Sequence, residues 1–234
     1  MRSSVLIING SPRRGDSNTL LAARALAEGL SAGTGEKPRE LTLSGLRIEP
    51  CRGCFGCWRA TPGRCVIEDD MRAVWDAILA ADTIVVSFPV YFFGFPGPVK
   101  TAMDRMLPAM HAYDGGETLH RVRGTMRGKR FFFIATCGFR DAEGIGDALR
   151  AQLRAVFGEP SPPLVIIPQA ELMRVEQMDA IVSHRLGLVR ALGERFASGE
   201  DSGDLLREVE SPLILPRAYQ RLVEMMHTRW PADA

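Results

Sequence analysis

Several features that would place a chain in a class at once are missing here. There is no charge excess: 29 basic and 28 acidic residues leave +1 over 234 residues. Nucleic acid and anionic membrane surfaces are therefore not expected partners. No apolar stretch is long enough to span a bilayer, because the most hydrophobic segment, 83–99, is broken by Pro89, Pro96 and Pro98. Strand-like sequence begins by Val5, which leaves no room for a signal peptide. No repeat or low-complexity tract stands out. These absences predict a cytoplasmic globular chain, 46% hydrophobic, with enough residues for one full α/β core. In that compartment the five cysteines, four of them between Cys51 and Cys65, read as ligands or redox thiols before disulfides.

Two phosphate motifs are missing as well. The run Val5-Leu6-Ile7-Ile8 enters Asn9-Gly10-Ser11-Pro12-Arg13-Arg14-Gly15-Asp16-Ser17-Asn18-Thr19, which reads as a buried strand, a turn and a helix starting near Ser17. From Gly10 to Ser17 it nearly spells a P-loop, but Asp16 stands in the lysine position and would repel the outer phosphates of a nucleotide. The dinucleotide fingerprint fails at Ser11 and Pro12. What remains is a loop suited to one terminal phosphate. A helix N-terminus offers unpaired N–H groups and partial positive charge. Ser11, Ser17 and Thr19 add hydroxyls, and Arg13 adds a guanidinium. An ordinary capped helix after a strand is the plainer alternative.

Short apolar runs predict strands at Val5–Asn9, Arg39–Leu43, Thr83–Phe88, Arg130–Thr136 and Leu164–Ile167. Helical patterns fall at Asn18–Ser31, Asp70–Ala80, Gly97–Leu107, Gly144–Phe157 and Val175–Ala197. The alternation predicts a doubly wound five-stranded parallel sheet of order 2-1-3-4-5 with helices on both faces. Ligands of such sheets bind at the carboxyl ends of strands one and three. The loop after strand three, Pro89-Val90-Tyr91-Phe92-Phe93-Gly94, suits a flat wall against a planar aromatic ligand, while Phe88 and Phe95 read as core. Thr136-Cys137-Gly138 after strand four permits close backbone approach at the same edge, although Cys137 alone reads as a small buried residue. Residues 1–200 form the expected domain. Residues 201–234 are an extension, with a charged loop and an amphipathic segment from Leu213 to Trp230, set to pack on the domain or on a partner subunit.

Gly10-Ser11-Pro12-Arg13 with Ser17-Asn18-Thr19, then Pro89-Val90-Tyr91-Phe92, then Lys100-x3-Asp104-Arg105, resemble the flavodoxin-like NADPH-dependent FMN reductase family across residues 4–170. The resemblance implies FMN, with its phosphate in the Ser11–Thr19 loop, Asn18 included, and its ring against Pro89–Gly94 and Thr136–Gly138. It implies NAD(P)H as electron donor, a small-molecule acceptor such as a quinone or nitro compound, and a homodimer or homotetramer. The flavin would carry the hydride chemistry, so no catalytic acid or base is named. Lys100, Asp104 and Arg105 are expected as a salt-bridge network on their helix. Arg121, Arg123, Arg127, Lys129 and Arg130 are candidates for a 2′-phosphate, or else a solvated basic loop. His111, Tyr113 and His120 lie in an insertion that would form a lid.

Cys51-x2-Cys54-x2-Cys57 followed by Cys65 resembles the compact motif of iron–sulfur flavoproteins, a branch of the same fold carrying a 4Fe–4S cluster near FMN. The residues alone leave a cluster, zinc, free thiols and a redox disulfide open; the consecutive x2 spacings differ from paired zinc knuckles. Three functions follow: an FMN-dependent NAD(P)H oxidoreductase, an iron–sulfur electron carrier, or a non-enzymatic flavin-binding redox regulator.

Overall fold

Alternating side chains along four buried strands divide the molecule into two apolar layers. The computed structural model describes residues 4–111 and 123–227. Five parallel strands, β1 (Val5–Asn9), β2 (Arg39–Thr42), β3 (Thr83–Pro89), β4 (Arg130–Thr136) and β5 (Leu164–Ile167), lie in the order β2-β1-β3-β4-β5, as the sequence predicts. Val5 and Ile7, Val85, Phe132 and Ile134, and Val165 and Ile167 enter one core. Leu6 and Ile8, Ile84 and Val86, Phe133 and Ala135, and Leu164 and Ile166 enter the other. This period of two, with both faces apolar, is what a parallel sheet covered by helices requires.

The first core is closed by α1 (Asn18–Leu30) and α6 (Asp179–Ser198). They cross where neither carries a side chain. A Cβ on Gly29 would stand 2.0 Å from Arg190 O, and one on Gly193 would stand 2.3 Å from Leu26 O. The second core lies under α3 (Met71–Leu79), α4 (Gly97–Asp104) and α5 (Asp147–Phe157), with the short α2 (Gly56–Arg59) in the loop before α3. It is less completely filled. A cavity of about 540 Å³, walled by side chains such as Val86, Met103, Met106, Met126 and Phe133, sits behind the sheet and away from the loops at its carboxyl edge.

Several boundaries differ from the sequence reading. The α4 helix ends at Asp104, three residues before Leu107, because Arg105 turns inward and Pro108 follows. Gly144 sits at φ +69°, outside helix space, so α5 begins at Asp147. Short 3₁₀ turns occupy Ala170–Arg174 and Glu176–Met178, delaying α6 to Asp179. The stretch expected as a charged loop contains α7 (Gly203–Glu210), held by Leu205 and Val209, which are four residues apart on one buried face. A break at Ser211–Leu215 precedes α8 (Pro216–His227). Leu213 and Tyr219 complete the first core. Arg185, itself buried, donates to Val209 O, Ser211 O and Pro212 O and pins that break. Trp230 lies outside the described residues. Among those described, no helix is long and apolar enough to cross a membrane.

The glycine crossing is directly testable. Gly193→Val must push α6 off α1 and lower stability by about 1–3 kcal/mol or more. Urea unfolding should show a lower midpoint, whereas an unchanged midpoint would contradict the packing described.

Candidate functional site

The site is built outward from the end of β1. Asn9 is fully buried, and its carboxamide folds the following turn. Oδ1 accepts from Ser11 N at 3.1 Å, and Nδ2 donates to Arg14 O at 3.1 Å and to Thr42 Oγ1 at 3.4 Å. Gly10 has to be glycine, since a Cβ there would stand 2.0 Å from Val99 Cγ2. Its N–H donates to Ser87 O at 2.7 Å, tying the turn to β3. Ser11 Oγ accepts from Arg13 N at 3.3 Å, and Ser17 Oγ caps α1 by accepting from Leu20 N at 3.2 Å. Both contacts use acceptor capacity, so each hydroxyl keeps its O–H to donate. The first N–H groups of α1, at Asn18 and Thr19, have no partner inside the helix. Arg13 is exposed beside them. These donors lie within one short turn, with the partial positive charge of the helix start behind them.

Two residues grouped with this cradle have other employment for their side chains. Asn18 Nδ2 donates to Ala170 O at 2.6 Å, and its Oδ1 accepts from Arg174 Nε at 2.9 Å, which clips the loop after β5 to α1. Thr19 is buried and hydrogen-bonded to Thr136 on β4. Both therefore reach the cradle through backbone N–H groups.

The second loop is a tight turn. Tyr91 and Gly94 exchange both backbone hydrogen bonds, and the residues between them, Phe92 and Phe93, have φ of +49° and +58°. Left-handed backbone at two bulky residues costs on the order of 1–2 kcal/mol apiece. Burial does not offset it: Phe92 is 103% exposed and Phe93 52%. Strain of this kind clusters at ligand clamps and active sites. Phe88 is core, as expected, and Phe95 packs on it with ring centroids 4.7 Å apart.

The third loop meets the second where Phe93 stacks on Phe139 at 5.2 Å and where Val90 N donates to Thr136 O at 2.8 Å. Pro89 closes β3 opposite Thr136 in β4. Cys137 is buried, and burial above all pushes its thiol pKa up, so it is a packing thiol. Gly138 is exposed, and its carbonyl accepts from Tyr219 Oη at 2.7 Å. Tyr219 also contacts Glu171 Oε1, and burial followed by that carboxylate pushes its phenol pKa up. Glu171 Oε2 is buried with no partner among the described residues. Sequence reasoning assigned no role to Asn9, Glu171 or Tyr219 at this edge; α8 could be read only as amphipathic.

The salt-bridge network expected on α4 forms only in part. Lys100 and Asp104 pair at 2.6 Å on α4, but Arg105 does not join them. Its side chain is 1% exposed and forms a forked ion pair with Asp69, which is equally buried. Burial works against both charges. The pairing outweighs it, raising the Arg105 pKa and, with N–H donors from Glu49 and Met71, lowering that of Asp69; Cys65 beside the guanidinium adds to the Arg105 shift. The basic residues are not one phosphate patch. Lys129 Nζ donates to Leu79 O and Ala81 O, and Arg130 to Thr83 Oγ1, at the amino ends of the strands and the edge opposite the loops. Arg123 donates to Pro108 O and lies against Gly63, and Arg127 lines the apolar cavity. His111 is exposed, while Arg121, Tyr113 and His120 fall outside the described residues.

Cys51 and Cys54 are exposed, Cys65 is half-buried, and Cys57 is buried. Burial above all, with Cys65, Cys54 and Cys51 adding to it, raises the Cys57 thiol pKa. Among the described residues no three ligand side chains are gathered tightly enough for a single metal ion. That disfavours a ready-made tetrahedral zinc site. The donor set is four thiols on one loop between β2 and α3.

The Asp69 carboxyl gives a signed expectation. Its depressed pKa means that its stabilisation is present above the ordinary aspartate value near about 3.9 and is lost as pH falls through the lower folded value. Asp69→Ala, which leaves the Arg105 charge buried and alone, should cost about 3–5 kcal/mol in urea unfolding near neutral pH and flatten that acid transition. An unchanged midpoint would contradict the burial of the pair.

Comparison with known proteins shows the family and the fold. Residues 3–176 match the model of the family described as NADPH-dependent FMN reductase. The iron–sulfur flavoprotein of Methanosarcina thermophila is 33% identical over 98 residues, 42% of this chain and 49% of that one. An FMN-dependent NADH:quinone oxidoreductase of Sinorhizobium fredii is 36% identical over 132 residues, 55% of this chain and 61% of that one. The chain spans about half the length of the iron–sulfur flavoproteins it matches. Among solved structures, an FMN-dependent NADH-azoreductase from Bacillus anthracis shares the fold, with TM-score 0.59 and 17% identity over 83% of this chain and 99% of that one. The family match runs from before β1 to beyond β5, and the chain belongs to the NADPH-dependent FMN reductase family.

Proposed function

We propose that this protein binds FMN at the carboxyl edge of its sheet and acts as an NAD(P)H-dependent oxidoreductase, delivering electrons to a small-molecule acceptor such as a quinone or nitro compound. One observation carries the reading. Three loops tied to one another by hydrogen bonds bring a donor-rich helix start, a strained aromatic turn and an exposed glycine to a single edge. When bound there, FMN supplies the hydride chemistry. Ser11, Ser17 and the N–H groups of Asn18 and Thr19 hold the phosphate, with Arg13 at its rim. Pro89–Gly94 and Thr136–Gly138 frame the ring through backbone and aromatic surface, and Cys137 fills the space behind. No side chain is assigned a proton-transfer role. The exposed Tyr91, Phe92, Phe93 and Phe139 favour a second subunit over this edge, hence a homodimer or homotetramer.

A second reading has its own support. The Cys51, Cys54, Cys57 and Cys65 loop, with the matches to iron–sulfur flavoproteins, favours a 4Fe–4S cluster receiving electrons from the flavin, in a carrier more than in a turnover enzyme. Anaerobic purification separates the two. Flavin absorption without bound iron supports the first, and a broad absorption that bleaches on reduction together with bound iron supports the second.

FMN-loaded protein should oxidise NADPH or NADH in the presence of a quinone. Absence of turnover with either nucleotide and any quinone or nitro acceptor would leave a binding protein or regulator. Ser17→Ala should weaken FMN about tenfold, the loss of one hydrogen bond to a charged group. Unchanged affinity in a fluorescence titration would remove Ser17 from the phosphate cradle.

A further inference from the structure

Arg105 closes the base of the cysteine loop. Its Nη1 donates to Glu49 O at 2.6 Å and to Asp69 Oδ2 at 2.7 Å. Its Nη2 donates to Ile67 O at 3.4 Å and to Asp69 Oδ1 at 2.9 Å. Glu49 lies just before Cys51, and Ile67 lies just after Cys65. One guanidinium from the end of α4 thus grips both stems of the loop that bears all four clustered cysteines. The stems are also joined directly: Glu49 N donates to Asp69 Oδ2 at 2.8 Å, Arg47 N to Asp70 Oδ2 at 2.7 Å, and Asp70 N to Arg47 O at 3.2 Å. Further out, Gly63 N donates to Cys57 O at 3.0 Å, so the turn before Cys65 folds back on α2. Trp58 Nε1 reaches Met110 O at 3.1 Å and ties α2 to the segment after α4. Arg105 Nε is buried and has no partner among the described residues.

A planar fork is required at this position. A lysine ammonium is a single point of charge and cannot span two carbonyls on opposite stems while meeting both carboxylate oxygens. Four thiolates gathered on one loop also repel one another, and a buried cation at its base offsets part of that repulsion.

We propose that Arg105 is the positioning residue of a four-thiolate receptor: it locks the stems at Glu49 and Ile67 so that Cys51, Cys54, Cys57 and Cys65 converge on one iron–sulfur cluster, with the guanidinium buried at the base of their loop. The proposal rests on the iron–sulfur reading above. Arg105 touches neither the phosphate loop nor the aromatic turn, so FMN binding serves as the control for folding.

The test compares wild type, Arg105→Lys and Arg105→Met, each checked for FMN binding. Timed alkylation of the metal-free proteins, read by mass spectrometry, should find Cys57 slower than Cys51 and Cys54 in wild type. Both variants should speed Cys57 on the order of a hundredfold, the change in local opening that follows loss of a buried ion-pair geometry. Anaerobic loading with ferrous iron and sulfide should then give wild type a cluster that Arg105→Met largely fails to retain. Any Arg105→Met protein that does load should show a more negative midpoint potential, because a cation beside a cluster ligand favours the reduced state. Variants that bind FMN and match wild type in Cys57 rate, iron content and potential would overturn the role of Arg105. A wild type that takes up no iron would overturn the receptor together with the iron–sulfur reading. In that case the alkylation contrast still reports separately whether Arg105 closes the loop.

Discussion

The carboxamide of Asn9 is the constraint on which the candidate site depends. It sits with no exposure where β1 ends, between β2 and β3, and its two ends hold the chain at Ser11, Arg14 and Thr42. A buried amide of this kind is costly unless both ends are satisfied, so the turn after β1 has little freedom to be anything else. That turn sets where α1 begins, and α1 sets where its unpaired N–H groups face. Thr19 then fixes the distance to β4 through Thr136, and Gly10 fixes the distance to β3 through Ser87. Displacement of Asn9 would move the cradle relative to both other loops at once.

A second buried polar centre governs the part of the chain that leaves this frame. The segment from Arg47 to Asp70 makes a long excursion between β2 and α3 with only one short helix of its own. Ile48 packs on the second core and Phe55 stacks on Trp58, but most of the segment is exposed. Its order comes from polar bonds concentrated at its base, among Arg105, Asp69 and Asp70. Both centres put buried polar groups at the base of a loop, and each holds that loop through several hydrogen bonds. The layers behind them need only apolar volume, and there the second core tolerates a cavity of about 540 Å³.

Much of this was legible in the sequence, for physical reasons. Strands buried on both faces must be continuous apolar runs, so β1, β3, β4 and β5 announced themselves, and the alternation with helices fixed the parallel class. The donor-rich turn after β1 was visible because a cap, its hydroxyls and the turn are local in sequence. What stayed hidden was non-local. Arg105 follows a lysine and an aspartate at helical spacing and invited a surface reading, while its partner lies 36 positions earlier. Tyr219 reaches Gly138 across 81 positions, and no local pattern can report that. The left-handed pair Phe92-Phe93 was hidden for a different reason: aromatics oppose that backbone, so the sequence argues against the turn that the fold imposes.

Titration of flavin-free protein with FMN and with riboflavin, which lacks only the phosphate, tests the central claim most directly. The donors gathered around Ser11, Ser17 and the start of α1 predict that FMN binds at least about a hundredfold more tightly, since two charge-assisted hydrogen bonds of ordinary strength suffice for that ratio. Equal affinity for the two compounds would show that this cradle holds no phosphate and would contradict the account.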